Sequence, residues 1–562
     1  MKLLLKNGRV VNVFTDELGQ ANVLIEDDRI VGVGDYTDAD ADIVEDLTGK
    51  YLCPGLMDGH IHIESTMLTP AELAKICVPR GTTAIFADPH EIANVCGVDG
   101  IRYMMEASAG IPLHVYFTMP SCVPATPLDE SGATLTAAEL KPFYENGTVV
   151  GLGEMMNYPG VLSGNGEVIQ KISDALACGK VVDGHGPGLR GRELDRYVAA
   201  GVQSDHECSD AEEGIEKLRK GQWVMIRQGT AARNLESLLP LFQPPYDRRC
   251  ILVTDDRHPA DLERDGHIDN IIRLAVHSGV NVLKAIRMAT IQTAQYFGLA
   301  HVGAIAPSYR ADILVLNDLD TMDICDVYSA GVCVVKNKRM CDFDAPKVSQ
   351  NLMDAVVNSF HLDEITAEDF CLKPESEKCR IIEVIPGSLI TGEKIETIHW
   401  TENNGVDTER DILKLAVIER HHNTGHKGVG FISGIGLKKG AIASSVSHDS
   451  HNIIVIGTND ADMAAAANHI RRKGGNVVVV GGTVVADMKL PIGGLMADCS
   501  GREIVKQNET VREAVYHLGV PGNIEPFMNM AFVSLPVIPN LKMTTTGLVD
   551  VNNQKKVSLY CK

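Results

Sequence analysis

His60 and His62 stand one residue apart in the run Pro54-Gly55-Leu56-Met57-Asp58-Gly59-His60-Ile61-His62-Ile63-Glu64-Ser65, after an apolar approach through Tyr51, Leu52 and Cys53. On an extended strand, residues i and i+2 face the same side, so both imidazoles can aim at one point, as a metal ion requires. Two polar residues at a strand terminus would read the same way. Further donors follow at intervals: Glu154 in Gly151-Leu152-Gly153-Glu154, His185 in Asp183-Gly184-His185, His206 in Ser204-Asp205-His206-Glu207, and Asp255 with Asp256 after Val253-Thr254. Each follows a strand candidate. Together they supply enough nitrogen and oxygen donors for two metal ions, and hydrolysis by a metal-held water is the chemistry such a set performs.

The apolar runs are the elements that must position these donors. Beyond the segment around His60, strands are predicted at residues 83–87, 113–117, 149–153, 180–184, 201–205, 223–227 and 250–254. Helical stretches lie between them, as at 166–177 and 210–220, the latter with mixed charges at helical spacing. Eight βα units over residues 56–302 match a (β/α)₈ TIM-like barrel, whose carboxyl strand ends meet on one rim. A doubly wound open sheet is the alternative, weakened because no glycine-rich dinucleotide fingerprint follows an early strand. Short alternating strands at 9–13, 21–25 and 29–33 return in texture at 302–307, 311–316 and 331–335, so residues 1–55 plus 303–345 are expected to form a composite β-sandwich. A linker-like region at 342–380 leads into a C-terminal α/β domain, the third unit spanning 346–562.

Composition narrows the partners. The chain has 562 residues, too many for one core, with 52 glycines and only 5 % aromatics, which suits many strand-to-helix turns. A formal charge of −22 argues against a surface built to bind nucleic-acid backbone. No run approaches a membrane span, no signal peptide is apparent, and the 14 cysteines include no C-x-x-C. Reduced thiols, a cytoplasmic address and no membrane partner are expected. A homodimer is the expectation from the general habit of soluble proteins.

More narrowly, His185-Gly186-Pro187-Gly188-Leu189, Ser204-Asp205-His206-Glu207-Cys208, Asp255-Asp256-Arg257-His258-Pro259, Ser447-His448-Asp449-Ser450-His451-Asn452 and Leu490-Pro491-Ile492-Gly493-Gly494-Leu495-Met496 resemble the bacterial adenine deaminases of the amidohydrolase superfamily. The resemblance implies that His60, His62 and Asp255 hold one metal and His185 and His206 a second. Glu154 would bridge them, where many superfamily members carry a carboxylated lysine. It implies Mn²⁺ or Fe²⁺, with Zn²⁺ also fitting, adenine as the small-molecule substrate, and purine salvage as the setting. A metal-activated water would attack C6, Asp255 would pass a proton to the departing ammonia, and Glu207, with Asp256 as second choice, would protonate a ring nitrogen.

Other residues carry two readings each. Glu64 and Ser65 suit substrate contacts or a helix start. Asp183 and His258 suit orientation of ligands. His448 and His451 suit a third metal or, in preference, the ordering of a loop at the site's mouth or an interface. His421 and His422 read as solvated surface, and Cys208 as core. The rival functions are a dihydroorotase-like cyclic-amide hydrolase of the same superfamily and a barrel that serves only as a scaffold.

Overall fold

A computed structural model describes residues 1–400 and 403–561. Eight parallel strands form the centre of the molecule. Five lie in one sheet: Leu56–Ile61, Thr82–Ala87, His114–Met119, Val149–Met155 and Val181–Gly184. Three lie in another: Ser204–Asp205, Trp223–Arg227 and Cys250–Val253. Backbone bonds join the two at both seams. The Gln203 N–H donates to the Val182 carbonyl at 2.9 Å, and the Asp255 N–H donates to that of His60 at 2.9 Å. The result is a TIM-like barrel, and the first and eighth strands meet at the Ile61–Asp255 bridge.

The strands are buried on both faces, which is why they read as continuous apolar runs instead of alternating ones. Met57, Ala84, Phe86, Val150, Met225, Ile251 and Val253 fill the interior. Helices cover the outside, and some start on polar caps. Asn165 caps Gly166–Ala177 and Asp210 caps Ala211–Arg219, each accepting backbone N–H groups of the first turn. The sixth strand is two residues long, shorter than the five expected at 201–205. The apolar approach at 51–53 belongs to a different sheet: Tyr51–Pro54 pairs antiparallel with Ile313–Leu316, and the chain turns at Gly55 before the barrel strand starts. A Cβ on Gly55 would lie 2.1 Å from Thr83 Oγ1, so only glycine permits this passage.

The segments before and after the barrel meet in two sheets. One orders Arg29–Gly34, Asn22–Glu26, Lys2–Lys6 and Ile43–Asp46; the seven-stranded other contains Tyr51–Pro54 between Ile313–Leu316 and Arg9–Asn12. Leu5, Val23, Ile30, Leu52, Ile313 and Val315 share one apolar cluster. The strand expected at 302–307 does not form. Gly303, at φ 84, lies against the Thr290 backbone, and the segment runs as bends and turns. The region read as linker-like contains the helix Gln350–Val357, which packs on the barrel helix His90–Ala107.

Beyond it an eight-stranded, largely antiparallel sheet runs in spatial order from Gly392–Thr397 to Thr483–Met488, with the helix Asp460–Lys473 on one face. The helix Gly501–Tyr516 then packs against Pro259–Asp265 on the barrel, bringing this half of the chain onto the rim where the donors lie. No helix is long and apolar enough to cross a membrane among the described residues.

Candidate metal centre

The carboxyl ends of the barrel strands bring the predicted donors together. Glu154, the penultimate residue of its strand, stands between two sets of histidines. Its Oε1 is 3.2 Å from His62 Nε2 and 3.8 Å from His60 Nε2, while Oε2 is 2.6 Å from His185 Nδ1 and 3.2 Å from His206 Nε2. Asp255 Oδ1 lies 3.1 Å from His62 Nε2 and 3.7 Å from His60 Nε2. His60 Nε2 is buried and has no hydrogen-bond partner among the described residues, although imidazole nitrogens are rarely left so. Donor atoms of His60, His62 and Asp255 lie within 4.8 Å of one another, as do those of His60, Glu154 and His206. These residues fit divalent metal ions, with nitrogen and oxygen donors and no thiolate.

The surrounding contacts aim the donors. The Asp88 carbonyl accepts the His62 Nδ1–H at 3.1 Å, which leaves Nε2 facing Glu154 and Asp255. Asp88 Oδ2 accepts the Glu154 N–H at 3.1 Å. A Cβ on Gly153 would sit 2.0 Å from that same oxygen, so the glycine admits Asp88. Asp58 ties the ring seam, accepting the Thr254 N–H at 3.0 Å and facing His267 Nε2 at 3.0 Å. Arg227 ends the seventh strand and grips both oxygens of Glu207; its Nη1 also donates to Asp255 Oδ2 at 2.6 Å.

Charge follows this geometry. Burial opposes ionisation of Glu154, yet the His206 and His185 imidazoles hold its carboxyl well below the usual range. Burial likewise opposes ionisation of Asp255, and Arg227 and His62 hold it low. Glu207 is also held low against burial, chiefly by Arg227 and His185, and stands as an anion instead of the resting acid expected. Its Oε1 is 3.3 Å from His206 Nε2 and 3.7 Å from His185 Nδ1. Burial and the Asp255 charge push Asp256 up, and its Oδ1 accepts the Ser65 hydroxyl at 2.5 Å.

The remaining candidates lie farther out. Glu64, pushed up to about 7 by burial, accepts the Ile92 N–H at 3.1 Å. Asp183 accepts the Tyr296 hydroxyl at 2.5 Å and that of Ser204 at 3.0 Å, bracing strands beneath the donors. His258 precedes the helix Pro259–Asp265, and its N–H donates to Thr230 Oγ1 at 2.8 Å. His448 and His451 both bond Glu91, the former at 2.5 Å from Nδ1 to Oε1. His421 is buried, with Nε2 2.7 Å from the Ser450 carbonyl, and only His422 is solvated.

Sequence reasoning missed Asp88, His90, Glu91 and Arg227. His90 is buried, with Nδ1 3.7 Å from Glu154 Oε1 and Nε2 3.5 Å from Glu91 Oε1. The signal was present: Asp88-Pro89-His90-Glu91 follows the second strand at the same rim position that marked the other donors.

A model of the amidohydrolase family matches residues 51–338, and one of the adenine deaminase C-terminal domain matches residues 388–555. The chain is 47 % identical over 553 residues to adenine deaminase 2 of Carboxydothermus hydrogenoformans, covering 98 % of this chain and 95 % of the relative. It is 45 % identical to the adenine deaminase of Desulfatibacillum aliphaticivorans, covering 99 % and 97 %. Among solved structures, a β-aspartyl dipeptidase from Fervidobacterium islandicum superposes with a TM-score of 0.48 at 16 % identity, over 61 % of this chain and 99 % of that one. Matched along nearly its whole length, the chain belongs to the amidohydrolase family, within the group of adenine deaminases.

Proposed function

We propose that the protein deaminates adenine, converting adenine and water to hypoxanthine and ammonia in purine salvage. The observation that carries the reading of the site is Glu154, whose two oxygens face two separate histidine sets. In this reading His60, His62 and Asp255 would hold one divalent ion and His185 and His206 a second, with Glu154 shared. Mn²⁺ or Fe²⁺ is the proposed occupant of this mixed imidazole and carboxylate set, which Zn²⁺ also fits. The ions would supply Lewis acidity and a water that ionises near neutral pH.

The protein's own groups then move protons. Glu207, anionic beside Arg227, accepts a proton from the attacking water and delivers it to a ring nitrogen as the C6–O bond forms. Asp255 takes the second proton and passes it to the amine as the C6–N bond breaks, releasing ammonia. Ser65 holds Asp256 at the rim by a hydrogen bond from its hydroxyl. The division into a β-rich unit of both flanks, the barrel and a C-terminal unit, a cytoplasmic address and a homodimeric state complete the proposal.

Purified protein loaded with Mn²⁺ should release ammonia from adenine while leaving adenosine and dihydroorotate unchanged. Ammonia from adenosine, ring opening of dihydroorotate, or no turnover of adenine would each overturn the reading.

A further inference from the structure

The C-terminal half sets the loop Ser447-His448-Asp449-Ser450-His451 against Glu91 at the barrel rim. It is fastened on several sides. His448 and His451 donate to the two oxygens of Glu91, which follows the second barrel strand. Ser447 shares a hydrogen bond with Ser534 at 2.5 Å, the Ser450 hydroxyl bonds Asp129, and the His451 carbonyl accepts from buried Arg420. Phe532 stacks on His448 with centroids 4.5 Å apart. The side chain that this bracing leaves over is Asp449. It is only 4 % exposed, and its Oδ2 is buried with no hydrogen-bond partner among the described residues.

A buried carboxylate oxygen without a donor is costly, and a loop held this firmly cannot turn it out to water. Burial, with the nearby Glu91 charge, pushes the Asp449 acid up to about 7, and His90, His448 and Glu154 also act on it, which sets it beside the donor cluster; a donor on the substrate would favour its anion. No cation among these is offered to it at bonding distance. What it lacks is an N–H donor. Resting on the adenine reading above, the substrate has two kinds of donor: the 6-amino group, which must sit at the reacting end, and one imidazole-ring N–H. The ring nitrogens N1 and N3 carry lone pairs, which a carboxylate would repel.

We propose that Asp449 is a substrate-binding residue supplied by the C-terminal half, whose carboxylate accepts the imidazole-ring N–H of the free base. A nucleoside carries its sugar in place of that hydrogen and would bury the carboxylate unpaired. Asp449 thereby selects the base over the nucleoside, and Glu91, His448 and His451 act as positioning residues for it.

The test compares the parent, Asp449→Ala and Asp449→Asn, all loaded with Mn²⁺, with metal content and unfolding temperature measured alongside. For adenine, Asp449→Ala should raise KM about tenfold to hundredfold, the worth of a hydrogen bond to a charged group, with kcat changed less than about threefold. Asp449→Asn, which keeps an acceptor oxygen without the charge, should fall between. 9-Methyladenine, read as substrate or competitive inhibitor, should lose its disadvantage relative to adenine in Asp449→Ala. An unchanged KM, an equal loss for both bases, or a failure of both variants to fold would overturn the proposal. A parent inactive on adenine would instead overturn the reading on which it rests.

Discussion

Replacing Arg227 with methionine tests whether the site depends on a charge that no metal touches. The guanidinium is buried, holds both Glu207 oxygens, and donates to Asp255 Oδ2 at 2.6 Å, so that Oδ1 is the oxygen left facing His60 and His62. Methionine fills much of the stem's volume and removes every donor. Breaking a buried ion pair on one side costs about 3–5 kcal/mol of stability, since the remaining carboxylates stay buried. For turnover, the relevant loss is the bond that orients Asp255, about 1.5–3 kcal/mol, hence a drop in kcat/KM of roughly tenfold to 150-fold. Arg227→Lys keeps the charge but not the fork, and should fall between parent and Arg227→Met. The assay is ammonia release from adenine by Mn²⁺-loaded protein of measured metal content. A folded, metal-replete Arg227→Met within threefold of the parent would refute the assignment of Arg227 as the residue that orients Asp255.

Three further outcomes are expected. Glu154→Gln, which withdraws the charge between the histidine sets, should lower bound metal per chain after dialysis and reduce turnover by at least about a hundredfold; full metal content would count against a shared carboxylate. Gly153→Ala should displace Asp88, cost about 1–3 kcal/mol through overpacking, and lower both the unfolding temperature and turnover; a neutral result would show that Asp88 does not fix the Glu154 strand end. Lys542, buried and bonded to the Leu389 and Phe532 carbonyls at 3.1 and 3.0 Å, is pushed down to about 7 by burial. Between that value and the ordinary lysine range the unfolded chain binds the extra proton, so folding gains stability as pH rises from 7 to 10. Lys542→Met lacks this term, so its unfolding temperature should compare best with the parent at pH 7 and worse at pH 10; a pH-independent difference would refute the shift.

The barrel was legible because parallel strands buried on both faces leave long apolar runs, and because donors such as Glu154 and Asp255 fall at their ends. The segment at 302–307 misled for the converse reason: Gly303 and Pro307 interrupt apolar residues that are buried without being paired. The helix Gln350–Val357 lay within the segment read as linker-like, and its buried face is reduced to Leu352 and Val356. Arg227 looked like one more strand residue, since nothing nearby in sequence reveals that Glu207 and Asp255 flank it. The pairing of His448 and His451 with Glu91 spans more than three hundred residues, and local spacing carries no trace of such a partner. Glu207 was read as an acid from its place beside His206; the guanidinium that makes it an anion arrives from the neighbouring strand.

The seam between the first and eighth strands also has a meaning in time. His60 emerges early in synthesis, but Asp255 reaches it only across the last bridge of the ring, and Tyr51–Pro54 waits for Ile313–Leu316. The histidines that seat the Asp449 loop come later still. A nascent chain therefore carries a half-built, strongly donating rim for most of its translation, with Glu91 bare until the final quarter arrives. Termination after Leu316 but before that loop would leave the ring closed yet without the wall that meets a substrate, so arrival of the loop, and not closure of the ring, marks the birth of the finished site.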